Sequence, residues 1–531
     1  MIFQKFNYNE IPHISSKDLR YIEEDPQVRP FYKWAPSIEN IEKVVQAKKE
    51  QILSRDLICD ILTKQYKHRP DTDLQFVQIE KLRQDDTFTI VTAHQPTLLT
   101  GPLYYIIKIF SAIKIAKKAQ EKFPQYNFIP LFISGGEDHD FEEMNHLELF
   151  GKNIEWKNDN FNGGSVGHLN LNGLTEVLDQ AVAILGEDKP GGQWIKDHLY
   201  ELASNSPNYG SFSLDLTHLL FKKYGLLVIN MDEPELKKEF IPIILNEVIH
   251  NGSKSIIEKS QEKLESIDWK LQAYVREINF FYRHDNQRLR IEKEGDQYKL
   301  LDTGISWSEA ELTKEIEANP GAFSPNVNMR PLFQEMMLPN VVFVGGGGEI
   351  AYWLERKEQF EHYNIPYPMI VRRSSLSIIS PSITKNVNKL KTNLAFFFQD
   401  EHQLVNAFLE TKDHDIELGK QKNGIQELMV SVAEIAKQTD PTLEKYTLAE
   451  ASKIQKIIEN IESKIRKAIK RSEETDLNKL IKIKGQLFPN NGLQERQQNI
   501  FQFINVFGLE ILEDIYSAVD PFAKEYVMIS K

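Results

Sequence analysis

Three short clusters hold residues whose types and spacing are suited to chemistry. In the first, Glu137-Asp138-His139-Asp140 is followed closely by Asn145 and His146, so three carboxylates and an imidazole crowd one loop. Like charges this close repel unless something cationic sits among them. A substrate ammonium, an arginine from elsewhere, or a divalent ion with mixed oxygen and nitrogen ligands would serve. No second ligand set accompanies the loop, so substrate-amine binding is the preferred expectation. A solvated acidic loop capping a helix is the plain alternative.

In the second cluster, His94-Gln95-Pro96-Thr97 runs to Thr100-Gly101, with Tyr104 and Lys108 just beyond. Between a strand and a helix, such a turn offers free N–H groups and the positive end of the helix dipole to a phosphate or carboxylate. His94 would add a hydrogen bond, or a positive charge as phosphoryl charge develops; alternatively it only satisfies a strand-end carbonyl. The third cluster is Gly345-Gly346-Gly347-Gly348-Glu349, with Tyr352 and Trp353 behind it. Glycines let a ligand approach the backbone, although the spacing is not the GxGxxG of dinucleotide sites. Upstream, Phe323 to Asn326 and Arg330-Pro331 read as a compact loop in which Arg330 would clamp a carboxylate with two hydrogen bonds. Arg372 and Arg373, ending the MIVRR strand, are similar candidates.

Each cluster follows an apolar run that reads as a strand. FTIVTAH (88–94) leads to the His94 turn and then to a helix of about 20 residues, with Pro102 suited to its first turn. NFIPLFIS (127–134) leads to the acidic loop, LLVINM (226–231) to another helix, and VVFV (341–344) to the glycine turn. Repeated strand–helix–strand grammar predicts a parallel, doubly wound α/β sheet with its sites at the strand carboxyl ends. Residues 151–225, with Gly-rich loops at Gly163, Gly164 and Gly192, and residues 279–304, an antiparallel meander, are expected as insertions in a core spanning 1–382. Residues 1–85 read as mostly helical and polar, with an amphipathic stretch from Ser37 to Tyr66.

Beyond residue 383 the strand signal ends. Ile425, Leu428, Val432 and Ile435 recur at heptad-like spacing, as do Ile454, Ile458, Ile461, Ile465, Ala468 and Ser472 after a Thr439-Asp440-Pro441 turn. The pattern predicts an antiparallel coiled-coil hairpin over 383–475, favoured as a dimerisation element, with 476–531 returning to the core.

Bulk properties narrow the function. With 531 residues, two or three structural units are expected. The net charge, 64 − 77 = −13, argues against a nucleic-acid surface, and no basic amphipathic segment suggests membrane binding. The single cysteine, Cys59, excludes an intrachain disulfide and reads as a buried apolar residue beside Ile52, Leu57 and Ile61. No signal peptide or membrane span is read, so the cytoplasm is the expected compartment.

Taken in order, TAHQPTLLTGPLYYIIKI, ISGGEDHDFEEMNH and FSPNVNMRPLFQEMMLPNVVFVGGGGEIAYW resemble the motifs of the cysteine-adding ligase family of bacillithiol biosynthesis. The likeness extends through the heptad-rich tail and LQERQQNIFQFINVFG. The His94 turn also resembles the first half of class I nucleotidyl-transfer domains, whose lysine-rich second signature is not apparent here. The resemblance implies a Rossmann-like parallel-sheet core with connecting-peptide insertions and a coiled-coil domain that makes a homodimer. It implies a ligase that joins cysteine to glucosaminyl-malate in the last step of the pathway.

Amide formation needs an activated carboxyl, so ATP with Mg2+ is expected. In this scheme Asp138 or Asp140 holds the cysteine ammonium, His139 is the base for the attacking amine, and Arg330 and Arg372 hold carboxylates. His94, Thr100 and the helix from Pro102 face the nucleotide phosphates. Gln95, Gly101, Tyr104, Lys108, Glu137, His146, Asn326, Gly345, Gly346, Gly348, Glu349, Tyr352 and Trp353 complete the binding set. The rivals are a metal-dependent hydrolase using Glu137, His139 and Asp140, and a nucleotide-sensing coiled-coil scaffold.

Overall fold

Five apolar runs become the parallel strands of one sheet: β1 (Thr87–His94), β2 (Asn127–Ser134), β3 (Leu227–Asn230), β4 (Asn340–Gly345) and β5 (Met369–Arg372). Their order across the sheet is β5-β4-β1-β2-β3, a Rossmann-like arrangement. Strands of a parallel sheet are covered on both faces, which is why these runs are apolar throughout rather than alternating. Ile90, Val342 and Val344 pack with Ile41, Val44 and Ala112, while Val91, Ala93 and Phe343 belong to the larger cluster with Ile106, Phe110 and Trp353. Register aligns the carboxyl ends: His94 lies opposite Ser134, Ser134 opposite Asn230, and Gly345 opposite Arg372. Strand order reverses between β1 and β4, and such a switch point leaves a crevice outside the strand ends.

The computed structural model describes residues 2–412 and 418–530. The chain divides into one unit of Met1–Ile378 with Leu493–Lys531 and a second of Ile379–Gly492. In the first unit, α1 (Tyr104–Lys122) follows β1 and is buried along most of its length. It starts two residues after Pro102, which instead bridges to Asn499. Between β2 and β3 lie the hairpin His146–Leu149/Lys152–Glu155 and three helices, Leu174–Leu185, Pro190–Asn205 and Tyr209–Phe221. Gly192, expected in a loop, sits buried in the first turn of the second of these helices. The meander is a five-stranded antiparallel sheet in which Phe323–Pro325, expected as loop, pairs with Phe280–His284. The N-terminal region, expected to be mostly helical, begins with a strand, Ile2–Asn7, paired antiparallel with Glu525–Ser530. The Ser37–Tyr66 stretch is broken into Ile41–Lys49 and Arg55–Tyr66. Cys59 is buried in the latter helix, whereas Ile52 lies outside it and is exposed.

After α2 (Gly347–Leu354), the second unit contains the long antiparallel pair α3 (Gly419–Thr439) and α4 (Pro441–Ser472). Asp440 caps α4 by accepting from the Thr442 N–H at 2.8 Å. On α3 the facing seam is rotated from the expected one, whereas α4 keeps three of its expected residues there. Ala433 and Thr447 are buried and Ile425, Met429, Ile454, Ile458 and Ile465 half-buried, whereas Leu428 (62%), Val432 (41%), Ile435 (63%) and Ile461 (44%) are exposed. Helix Glu474–Leu487, expected within the returning segment, belongs to the second unit, and the chain rejoins the first at Leu493. Among the described residues, no helix is long and apolar enough to cross a membrane.

Candidate active site

A cavity of about 660 Å³ opens where the carboxyl ends of β1, β2 and β4 converge. Its wall takes His94 and Gln95 from β1, Ser134 and the acidic loop from β2, and Gly346 to Glu349 from β4. The antiparallel insertion contributes Arg288 and Arg290, and the preceding extended segment Arg276.

The charge problem of the acidic loop is solved by the protein itself. Glu137 pairs with Lys237, which also holds Asp232 at 2.9 Å. Asp138 accepts from the Gln95 amide at 2.6 Å and the His139 N–H at 2.8 Å, and lies 3.5 Å from Arg288. Burial disfavours the Asp138 charge, but Arg288 and these hydrogen bonds outweigh it and hold the carboxyl below its ordinary value. Arg288 is almost fully buried, lies over the Phe281 ring at 4.0 Å, and donates to Ser324 Oγ and the Pro325 carbonyl, both at 2.9 Å. Its Nη1 also meets His139 Nδ1 at 2.9 Å. An arginine can only donate, so His139 Nδ1 accepts and the ring proton sits on Nε2. Burial, and then Arg288, hold His139 below the ordinary histidine value. The ring is therefore a neutral Nε2 donor, and this geometry opposes its expected role as base. Asp140 does not face the cavity: its side chain caps the short helix Phe141–Met144 by accepting from the Glu143 N–H. His146 is exposed at the start of the following strand, outside the cavity lining. Glu137, His139 and Asp140 are thus each engaged separately, and no group of three ligating side chains among the described residues is placed to hold a metal ion.

At the β1 turn, His94 Nδ1 lies 3.0 Å from the Gln95 carbonyl and Nε2 lies 3.1 Å from the Tyr104 hydroxyl. The carbonyl accepts, so Nδ1 carries the proton and Nε2 receives the Tyr104 O–H. Burial first, and then nearby Lys108, hold the ring down to about 4. His94 is therefore neutral near pH 7 and supplies no positive charge, contrary to one sequence-based expectation. Behind it the turn is strained: Leu99 and Thr100 have φ of +45° and +69°, rare for residues with a Cβ. Gly101 has φ +60°, and a Cβ there would come within 2.7 Å of Thr97 Oγ1. Asn499 clamps this turn by donating to the Leu99 and Gly101 carbonyls at 2.8 and 2.7 Å. Thr100 and Gly101 are consequently buried and do not line the cavity, so their part is to shape the turn.

The lowered His94 value has a measurable consequence. Between pH 6.5 and 4 the unfolded chain binds a proton that the folded ring refuses, so stability present above 6.5 is lost as pH falls toward 4. At pH 5 this loss is about 2 kcal/mol. Urea unfolding at pH 7 and 5 is expected to show His94→Gln losing less stability between the two, by about that amount.

At the glycine turn, Gly346, Gly347 and Gly348 line the cavity, and Gly345 ends β4 behind them. Gly347 answers to packing: a Cβ would meet Asp18 Oδ1 at 1.9 Å. Glu349 accepts the Gly346 N–H at 2.9 Å and pairs with buried Lys108, which also donates to the Ala93 carbonyl at 2.5 Å. Burial opposes the Glu349 charge, but Lys108 and the Gly346 N–H hold the carboxyl low. Arg330 reaches the cavity and donates to the Tyr352 hydroxyl at 2.6 Å. Asn326 lines the same wall. Trp353, by contrast, is fully buried against Phe343 and Phe360. Arg372 turns away to Asp18 at 3.3 Å, and its neighbour Arg373 lines the cavity instead, beside the Tyr104 ring. Arg373 stands one residue past the end of β5, where its guanidinium pairs with buried Glu495 at 2.7 Å.

The family model for the N-terminal Rossmann-like domain of the bacillithiol biosynthesis protein BshC matches residues 1–374, and that for its C-terminal coiled-coil domain matches 376–530. The chain belongs to the BshC family. Two relatives, each described as "Putative cysteine ligase BshC", support this. The Flavobacterium psychrophilum protein is 35% identical over 98% of both chains. The Christiangramia forsetii protein is 33% identical over 99% of this chain and 98% of its own. Membership in the BshC family makes this chain a ligase of bacillithiol biosynthesis. The second BshC model runs through 493–530 because it follows sequence, whereas packing returns that segment to the first unit.

Sequence reasoning missed Arg276, Arg288, Arg290, Arg496 and Glu143, all on the cavity wall. One signal was present: Arg288 and Arg290 stand two apart on a strand, and such positions share a face.

Proposed function

We propose that this ligase joins the carboxyl of cysteine to the amine of glucosaminyl-malate after ATP has activated the carboxyl. One observation carries the reading. Around Asp138, the cavity presents Arg276, Arg290, Arg330 and Arg496, none ion-paired among the described residues. Asp138 among guanidinium groups free of ion pairs suits ligands rich in carboxylate or phosphate that also bear an ammonium, the neighbouring Glu137 and Glu349 being already matched by Lys237 and Lys108. Asp138 takes the cysteine ammonium; Arg330 and Arg290 take carboxylates; Gln95, Tyr104 and Lys108 face the nucleotide.

A carboxylate oxygen of cysteine attacks a phosphorus of ATP, giving an acyl-adenylate and pyrophosphate, or an acyl-phosphate and ADP. The amine nitrogen then attacks the acyl carbon, forms the C–N bond, and expels AMP or phosphate. The proton lost from nitrogen passes to Glu143, whose carboxyl is raised by burial and by Asp140 and Asp138, making it the better acceptor. Mg2+ would arrive on the nucleotide phosphates. The hydrolase alternative is not favoured, because Glu137, His139 and Asp140 are each engaged elsewhere. The acidic net charge of −13 fits small-molecule chemistry in the cytoplasm rather than nucleic-acid binding.

The test is mass spectrometry of the purified chain with cysteine and glucosaminyl-malate, with and without ATP and Mg2+. Product only with ATP, with matching release of AMP or ADP, is expected; no product with any nucleotide overturns the proposal.

The exposed stripe of Leu428, Val432 and Ile435 on α3, with Ile457 and Ile461 on α4, is the surface we assign to homodimerisation. Leu428→Glu/Ile435→Glu is expected to sediment as a monomer where the parent chain sediments as a dimer. Unchanged sedimentation would place the dimer contact elsewhere.

A further inference from the structure

The stretch LQERQQNIFQFINVFG follows the coiled-coil helices in sequence, yet its first residues pack at the β1 turn within the first unit. Residues 494–499 make that junction. Gln494 clasps Ile378 twice: its Oε1 accepts the Ile378 N–H at 2.7 Å and its Nε2 donates to the Ile378 carbonyl at 3.1 Å. Fully buried Glu495 accepts from Arg373 at 2.7 Å, from Ser375 Oγ at 3.0 Å and from the Leu376 N–H at 2.9 Å. At the other end, the Gln498 carbonyl accepts the Leu103 N–H at 2.7 Å, and Asn499 holds the Leu99 and Gly101 carbonyls.

Arg496 stands between these anchors. Its own N–H donates to the Leu493 carbonyl at 2.9 Å, so the backbone is tied on both sides. The side chain is exposed, lines the reaction cavity, and has no ion-pair partner among the described residues. A guanidinium carried on a fixed backbone loses less freedom on meeting a ligand than one on a mobile loop, which favours binding.

Charge at this corner selects the ligand. Burial raises the Tyr104 hydroxyl above its ordinary value, and two cations oppose it, Arg373 and then Arg496. Glu495 matches Arg373, Glu349 matches nearby Lys108, and His94 is neutral near pH 7. Arg496 is therefore the cation left free beside Tyr104. Glu143, the remaining carboxylate there, acts on that hydroxyl less strongly than Arg496 does. Arg290 lies elsewhere, among the charges that follow burial and Arg288 in acting on His139. With Arg290 and Arg330 assigned to the two carboxylates of the acceptor, the anion left for Arg496 is a phosphate.

We infer that Arg496, presented to the cavity by the clamped segment 494–499, binds a phosphate group of the nucleotide. The inference rests on the function proposed above and extends it: sequence lying beyond the coiled coil supplies a working part of the β1 site.

Titration calorimetry of the full chain with ATP and Mg2+, together with steady-state ligation, tests the inference. Arg496→Gln is expected to weaken ATP binding at least about tenfold and to leave the KM values for cysteine and glucosaminyl-malate within about twofold. Arg496→Lys, which keeps the charge without the planar fork, should recover part of the lost affinity. Because the side chain is exposed and unpaired, urea unfolding of both variants should match the parent. Equal ATP affinity in the parent and Arg496→Gln overturns the inference while the ligase proposal stands. A raised KM for glucosaminyl-malate with ATP affinity unchanged also overturns it, and gives Arg496 to the acceptor. No ATP binding to the parent chain removes the nucleotide reading itself, and the inference falls with it.

Discussion

Asp138→Asn is expected to raise the KM for cysteine about a hundredfold while leaving the KM for glucosaminyl-malate within about twofold. The substitution keeps the shape of the side chain and one of its oxygens, so the Gln95 and His139 contacts have a route to survive. What disappears is the negative charge, which Arg288 and the hydrogen bonds keep in place down to low pH. Losing one member of a charge-assisted ammonium–carboxylate contact in a cleft costs about 3 kcal/mol, which corresponds to the stated factor. A cysteine analogue without its amine separates the assignment from general damage. Such an analogue has no ammonium to lose and should bind the parent chain and the variant alike. A cysteine KM unchanged by the substitution would move the ammonium site away from Asp138.

The acidic loop was legible as a site because repulsion is a local property: neighbouring carboxylates demand a cation wherever the loop lies. Which cation answers that demand was not legible. Lys237 and Arg288 stand 100 and 150 residues away in sequence from Glu137 and Asp138, and only tertiary packing brings them there. Residue type was easier to read than direction. Arg372 and Arg373 are chemically equivalent candidates, yet Asp18 holds the first away from the cavity and Glu495, 122 residues on, fixes the second at its wall. Trp353 shares a helix with Tyr352 but occupies the buried face.

The strands themselves stood out because strands covered on both faces are continuously apolar. On α3, by contrast, the conspicuous aliphatic stripe is the exposed one, and the seam against α4 uses Met429 and Ala433, which carry less hydrophobic signal. Spacing marks a stripe without saying which of two apolar partners covers it. His94 shows a further limit. Histidine at a strand end suggests a titrating group, but burial beside Lys108 keeps it neutral, and neither condition shows in its immediate neighbours.

Arg288 is where the inserted sheet and the core meet, and Arg288→Met is expected to lower unfolding stability by about 3 kcal/mol and ligation by more than about a hundredfold. Four partners share the guanidinium: Ser324 Oγ, the Pro325 carbonyl, His139 Nδ1 and, at longer range, Asp138. Methionine fills similar volume over Phe281 but answers none of them, and it leaves the acidic loop with Lys237 alone. Arg288→Lys should rescue little, because an ammonium is a point charge that cannot reach the four partners of a planar fork. The readout that separates positioning from simple destabilisation is the His139 ring. Arg288 helps hold its pKa below the ordinary histidine value, so removing the guanidinium should raise the pH at which the ring titrates by NMR. A merely structural arginine would weaken the fold and leave that titration where it was. If the His139 titration does not move, the imidazole is set by the β2 loop itself, and the inserted sheet supports the cavity without tuning it.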